Sequence, residues 1–366
     1  MKYMRKVFLI NFKEAPTVSN NKDNTSKIGG GKYDNDILKV FSNLGFELEY
    51  YPIIQNRFSK FVVLIKLIKT LLFNEKLLCF FRYPFLYWNK NLYYIQILYQ
   101  WILFYIMKIS KHKIGVIISD LDFIRNEGFK STYKDIRFLK NFDYIIVHND
   151  TMRDFLIKNG LDKEKLINQE VGNNLSDEFI VPKRTLSKTL VFSGNLIKSK
   201  FLSKFNNENI VSYKINLYGI GFEKKDENEI LKYKGSYSSE DIVKVLDGSF
   251  GLIWDGDSID ACSGFFGEYT KINNPSKFSQ YIVAGLPVIA WDKSAVANII
   301  KKYNIGFIVN NLMEIDDILN NLTEEEYNSY LKNVMNLRER IIKGYHFKKA
   351  ISEVLNIVEN DKSFYY

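Results

Sequence analysis

A chain of 366 residues exceeds one ordinary domain and, at roughly 150 residues per domain, divides into two or three. Apolar residues at 46% and charged residues at 25% exclude wholesale disorder, and two cysteines with three scattered histidines exclude a disulfide framework, a four-cysteine zinc site and a two-histidine metal pair on one helix. A net charge of +9 favours a phosphate-bearing partner such as a nucleotide or an anionic membrane face, while the lack of a low-complexity basic tail argues against nucleic acid.

In chain order, the start lacks the long apolar core and cleavage site of a signal peptide and reads as a strand over Val7–Asn11. Further strands are expected at Glu47–Pro52, Leu77–Arg82, Gly115–Asp120, Tyr144–His148 and Lys165–Val171. Helical periodicity falls between them, at Asn35–Leu44, Lys60–Leu72, Leu92–Ile109, Thr132–Leu139 and Thr151–Asn159. Strand–helix alternation of this kind predicts a parallel sheet covered on both faces. Leu92–Ile109 is the most apolar stretch, but Gln96, Gln100 and Lys108 interrupt it, so it reads as a core helix rather than a membrane span. The basic, aromatic region from Arg57 to Lys113 is a candidate surface for peripheral contact with an anionic membrane.

The pattern breaks over Asn173–Ser187, which reads as a linker. A second alternating unit follows, with strands at Leu190–Ser193, Ile215–Gly219, Gly251–Asp255, Pro287–Trp291 and Gly306–Val309. Its helices are Glu240–Leu246, Ser276–Ala284 and Ala295–Lys302, and a helical tail closes the chain over Glu324–Ile342 and Lys348–Glu359. The expected architecture is α/β: Rossmann-like parallel-sheet domains at 1–175 and 188–345 facing a cleft, with a C-terminal helix at 346–366 packing back on the first domain. Ligands of such sheets bind beyond the carboxyl ends of the strands.

Several segments offer an anion seat in that cleft. Gly29-Gly30-Gly31 precedes a helix, where bare backbone admits a ligand. Gly194 and Asn195 follow a strand shortly before Lys198, a point charge suited to phosphate. Tyr218 sits near the end of the next strand. The densest signal runs from Tyr269 to Ala290: Asn274 suits a helix N-cap, Pro275 its first turn and Gly285 its C-cap, so the helix start presents Asn273, Asn274 and Lys277 together. Asp120 stands at a strand's carboxyl end. Asp120-Leu121-Asp122 and Asp255-Gly256-Asp257 also have metal-binding spacing, but lysines and a helix N-terminus make a metal unnecessary.

Ala284-Gly285-Leu286-Pro287-Val288-Ile289, followed by Ser294-Ala295-Val296-Ala297 and Ile305-Gly306, resembles the donor-binding half of GT-B glycosyltransferases. The resemblance is to the bacterial subgroup of adhesin glucosyltransferases and surface-polysaccharide galactofuranosyltransferases. It implies transfer of a hexose, of glucose or galactofuranose type, from a UDP-sugar. It further implies a glycan, lipid-linked oligosaccharide or glycoprotein acceptor, a cytoplasmic location, in reach of the inner membrane face, and self-association in some members. Carried over residue by residue, the diphosphate falls to Lys198, Tyr218 and Lys277, with Gly30 and Gly31 from the first domain. Gln280 stands where many relatives have a glutamate, so it hydrogen-bonds without supplying charge. In the GT-B reading Asp120 faces the cleft and contacts the acceptor hydroxyl. Neither a cofactor nor a metal is implied, the UDP-sugar being a substrate. The competing class is a catalytically silent assembly module or membrane-docking partner.

Overall fold

A computed structural model describes residues 4–12, 29–52, 76–84, 112–206 and 211–361, with isolated positions of helical stretches between 62 and 72 and between 102 and 109. Residues 13–28 and most of the expected helices at Lys60–Leu72 and Leu92–Ile109 lie outside the described residues.

The first half contains β1 (Met4–Phe12), α1 (Gly29–Asn43), β2 (Glu47–Pro52), β3 (Leu77–Tyr83), β4 (Lys113–Ile118), α2 (Asp122–Glu127), α3 (Thr132–Leu139), β5 (Tyr144–Val147), α4 (Asp150–Lys158) and β6 (Leu166–Asn168). Its strands form one sheet in the order β2-β1-β3-β4-β5-β6, every pair parallel. The strands are apolar on both faces because both faces are covered. Cys79, Phe81, Val116, Ile118, Ile145 and Val147 enter one core, and Leu78, Phe80, Ile117 and Ile146 enter the other. Gly115 is dictated by this packing, since a Cβ there would lie 2.2 Å from the Phe80 ring.

The second half contains β7 (Thr189–Asn195), β8 (Lys214–Ile220), β9 (Leu231–Gly235), α5 (Ile242–Val245), β10 (Phe250–Ile253), α6 (Gly264–Tyr269), α7 (Ser276–Val283), β11 (Val288–Trp291), α8 (Ala295–Tyr303), β12 (Gly306–Val309), α9 (Glu314–Asn321), α10 (Glu324–Ile342) and α11 (Tyr345–Asn360). The sheet order is β12-β11-β10-β7-β8-β9, again all parallel, which is the doubly wound order with its switch point between β7 and β10.

Two apolar contacts are among those that tie the halves. Helix α11 crosses back to the first sheet, where Phe347, Ile351 and Val354 complete a core with Phe41 and Phe80. The Phe347 and Phe41 rings meet edge to face at 5.3 Å. In the other direction, Tyr269 and Ile272 of the second half are buried in the core of the first.

Some expectations need correction. Strand β6 ends at Asn168 rather than Val171, because Glu170 takes a left-handed backbone at φ 70°. Helix α7 begins at Ser276 with Pro275 as its N-cap residue, one position later than the Asn274 cap expected. Strand β9 and helices α2, α6 and α9 had no counterpart in the sequence reading. Among the described residues, no helix is long and apolar enough to cross a membrane.

Candidate active site

In the second half, the site is built where the strand order reverses. Strand β7 runs out through Ser193, Gly194 and Asn195, and β10 through Trp254 and Asp255. Strands β7 and β8 approach so closely that a Cβ on Gly219, at φ 143°, would lie 1.8 Å from the Gly194 carbonyl oxygen. The Asn195 side chain folds the next turn by accepting from the backbone N–H groups of Ile197 at 3.1 Å and Lys198 at 3.3 Å. Lys198 is thereby exposed beyond β7, its ammonium 5.1 Å from the centre of the Phe266 ring.

Helix α7 brings the second cation. Tyr281 anchors it to the sheet, its hydroxyl accepting from Ser193 N at 2.8 Å and donating to Leu252 O at 3.2 Å. One turn earlier, Lys277 Nζ donates to the Trp254 carbonyl at 3.1 Å and lies 3.3 Å from Asp255 Oδ2. The same ammonium sits 4.4 Å above the Phe192 ring. Gln280 accepts from Ser193 Oγ at 3.4 Å. The fold thus gathers Lys198, Lys277 and Gln280 at the ends of neighbouring strands.

The first half contributes an acid–base network. Arg82 at the end of β3 donates to Ser119 Oγ at 2.7 Å and pairs with Asp34 at 2.7 Å. Burial pushes the Asp34 carboxyl up to about 6 against the pull of Arg82. Asp120 accepts from Arg125 at 2.5 Å. Burial also raises the Asp120 pKa, opposed by Arg125, Arg82, a hydrogen bond from Tyr269 and the charge of Lys198. Asp120 is therefore within electrostatic reach of Lys198, and Tyr269 from α6 hydrogen-bonds to it while accepting from Leu121 N at 2.7 Å. Among the described residues, no group of three or more His, Cys, Asp or Glu is arranged to hold a metal.

Three expected contributions stand elsewhere. Tyr218 is 1% exposed, and its hydroxyl is occupied by Val245 O at 3.1 Å and Asp247 N at 3.0 Å, so it stands as a core strut away from the diphosphate expected on it. Asn274 is a brace between the halves: it donates to His148 O at 2.9 Å and Glu170 O at 2.8 Å and accepts from Asn149 at 2.8 Å. These partners occupy both N–H donors of its side chain. Gly30 and Gly31 fall in the first turn of α1 rather than in the loop before it. Asn273 lies beside the brace with its side-chain oxygen buried and without a hydrogen-bond partner.

The sequence reading missed Tyr237, Arg82 and Asp34. Tyr237 follows the carboxyl end of β9, is 37% exposed and has its ring 6.2 Å from that of Tyr218. Its signal was the aromatic after Gly235, which becomes legible only once Leu231–Gly235 is taken as a strand.

Both halves of the chain match known proteins. Residues 16–171 match the family model "Glucosyltransferase 3-like, N-terminal domain", and residues 190–354 match "Glucosyltransferase 3-like, C-terminal domain". The chain belongs to the glucosyltransferase 3-like family. It is 31% identical over 261 residues to the beta-1,6-galactofuranosyltransferase WbbI of Escherichia coli strain K12, covering 70% of this chain and 75% of that protein. It is 28% identical over 259 residues to Glucosyltransferase 3 of Streptococcus gordonii, covering 68% and 74%. Among solved structures, the fold resembles Anabaena HepE in complex with UDP and glucose, with a TM-score of 0.56 at 11% identity over 97% of this chain and 100% of that one. It also resembles the sucrose-phosphate synthase of Thermosynechococcus elongatus, with a TM-score of 0.58 at 11% identity over 98% of each chain. The protein is a glycosyltransferase with two Rossmann-like sheets and C-terminal helices.

Proposed function

We propose that this glycosyltransferase moves a hexose from a UDP-sugar to a sugar acceptor of a surface polysaccharide or glycoprotein, the donor seated on the second half and the acceptor on the first. The observation that carries the reading is the placement of Lys198 just beyond β7 and of Lys277 beside the end of β10, with Asp120 of the first half within electrostatic reach of Lys198. Negative charge grows on the leaving diphosphate as the glycosidic bond breaks, and fixed ammonium groups stabilise it there without reorganising. The first turn of α7, with no side-chain cap, adds the positive end of a helix dipole. Tyr237 is the exposed aromatic suited to stack on the uracil. Gln280 hydrogen-bonds donor hydroxyls, and Asp120 orients the acceptor hydroxyl. Support for a sugar donor comes from the named relatives, a galactofuranosyltransferase and a glucosyltransferase. Support for uridine comes from the UDP-bound neighbour of the same fold.

The direct test is release of UDP from UDP-glucose, UDP-N-acetylglucosamine, UDP-galactose and UDP-galactofuranose, each with and without EDTA. Turnover of at least one donor, undiminished by EDTA, is expected. Turnover that depends on added divalent metal would transfer the charge-stabilising role from the lysines to an ion.

A further inference from the structure

Helix α6 carries two adjacent phenylalanines that remain exposed, Phe265 at 55% and Phe266 at 38%. Aromatic side chains of this size are normally withdrawn from water, and a neighbouring pair left open calls for a partner. The rest of the helix is firmly placed: Tyr269 is buried in the core of the first half and holds Leu121 N. The exposed face of α6 is therefore fixed against the first half. The Phe265 ring stands close to Gly128, where a Cβ would come within 3.2 Å. Phe266 lies between the two sides of the site. The Arg125 guanidinium, paired with Asp120, is 5.9 Å from its ring centre, and the Lys198 ammonium is 5.1 Å away.

We propose that Phe266 is the acceptor platform, receiving the C–H face of an acceptor pyranose while the Asp120–Arg125 pair takes its hydroxyls. The inference rests on the donor reading above and deepens it, because it assigns the acceptor a ring-shaped sugar and a specific surface. The placement has the needed chemistry on each side. A sugar on this ring has Lys198, and hence the donor phosphates, on one side and a carboxylate with a guanidinium on the other. A pyranose has one apolar face and a rim of hydroxyls, and an aromatic ring beside a charged hydrogen-bonding pair complements both. A lipid tail would gain from the ring but would leave the ion pair without a polar partner, so the sugar is favoured.

The experiment uses the full chain, a donor that the wild type turns over, and octyl β-glucoside, octyl β-galactoside and octyl β-N-acetylglucosaminide as acceptors. Wild-type protein is expected to transfer to at least one of them. Phe266→Ala is expected to raise the acceptor KM about tenfold, and Phe266→Trp to restore it. Both variants should still show a thermal shift with UDP, which also reports that they are folded. An acceptor KM unmoved by Phe266→Ala overturns the proposal, as does a parallel loss of UDP binding, which would assign the ring to the donor. Donor hydrolysis by the wild type with transfer to none of the pyranosides would also overturn it. Failure of the wild type to bind UDP at all would instead contradict the donor reading on which it rests.

Discussion

His148 illustrates how a titratable side chain holds the two halves together. Its Nε2 is 2.9 Å from the Ile118 carbonyl and so carries the proton, and its Nδ1 accepts from Asn274 N at 3.2 Å. Burial lowers its pKa to about 4, against an ordinary value of 6.5. The neutral ring is the one that fits, because protonation would set an N–H against the Asn274 N–H. With the folded pKa below the unfolded one, the unfolded chain binds more protons between those values. Stability from this site is therefore complete above pH 6.5 and is lost as pH falls toward 4. A His148→Asn variant should be less stable at pH 7.5 and should lose less on acidification to pH 5 than the wild type. Thermal midpoints at both pH values check this, and parallel losses in the two proteins would contradict it. The other two histidines are likewise structural: His112 Nδ1 accepts from Leu77 N at 3.2 Å, and His346 Nδ1 lies 3.3 Å from Glu170. None of the three is placed as a base for an acceptor.

At the scale of elements, helix α7 and the turn before it perform two separate jobs. The helix presents Lys277 and Gln280 to the strand ends of its own half. The turn before it reaches across to the first half through Asn274, next to a cluster in which Glu170 binds Lys302, Tyr303 and His346. Those partners hold the Glu170 carboxyl down at about 2, so it stays ionised over the working range of pH. Asn274→Ala should cost about 1–3 kcal/mol, because it strips buried backbone groups of their partners. It should leave the thermal shift with UDP intact. Loss of UDP binding at unchanged stability would return Asn274 to the donor site. Helix α2 is fixed in a similar way from outside itself: Asp135 of α3 accepts from Ile124 N at 3.0 Å and from Tyr83 at 2.5 Å, which holds the segment carrying Asp120 and Arg125.

At the scale of the whole molecule, the parallel sheets were legible because their strands are apolar on both faces and bounded by clear turns. Leu77–Phe81 and Val116–Ile118 are of this kind. Strand β9 was not legible. It lies at the sheet edge, where Lys232 and Lys234 blunt the apolar pattern, and Tyr237 beyond it went unnoticed for that reason. Helix α6 is short and glycine-containing, so its role between the halves emerges only from where Tyr269 is buried. Lys198 and Lys277 stood out in the sequence because one follows a strand through a tight turn and the other lies in the first turn of a helix, both places whose local chemistry favours anions. Asn274 was misread because capping and cross-domain bracing use the same side-chain groups, and only tertiary contacts distinguish them.

The central claim is that Lys198 and Lys277 form one seat for the diphosphate of UDP. Calorimetric titration of UDP into the wild type, Lys198→Ala and Lys277→Ala tests it most directly. Ligand at 100 times its Kd should also stabilise the wild type by about 2.7 kcal/mol, or about 5–10 °C in thermal midpoint. The expected result is measurable affinity in the wild type and a loss of about tenfold or more in each variant, with folding retained. Wild-type affinity preserved in both variants would contradict the account and place the donor elsewhere in the cleft.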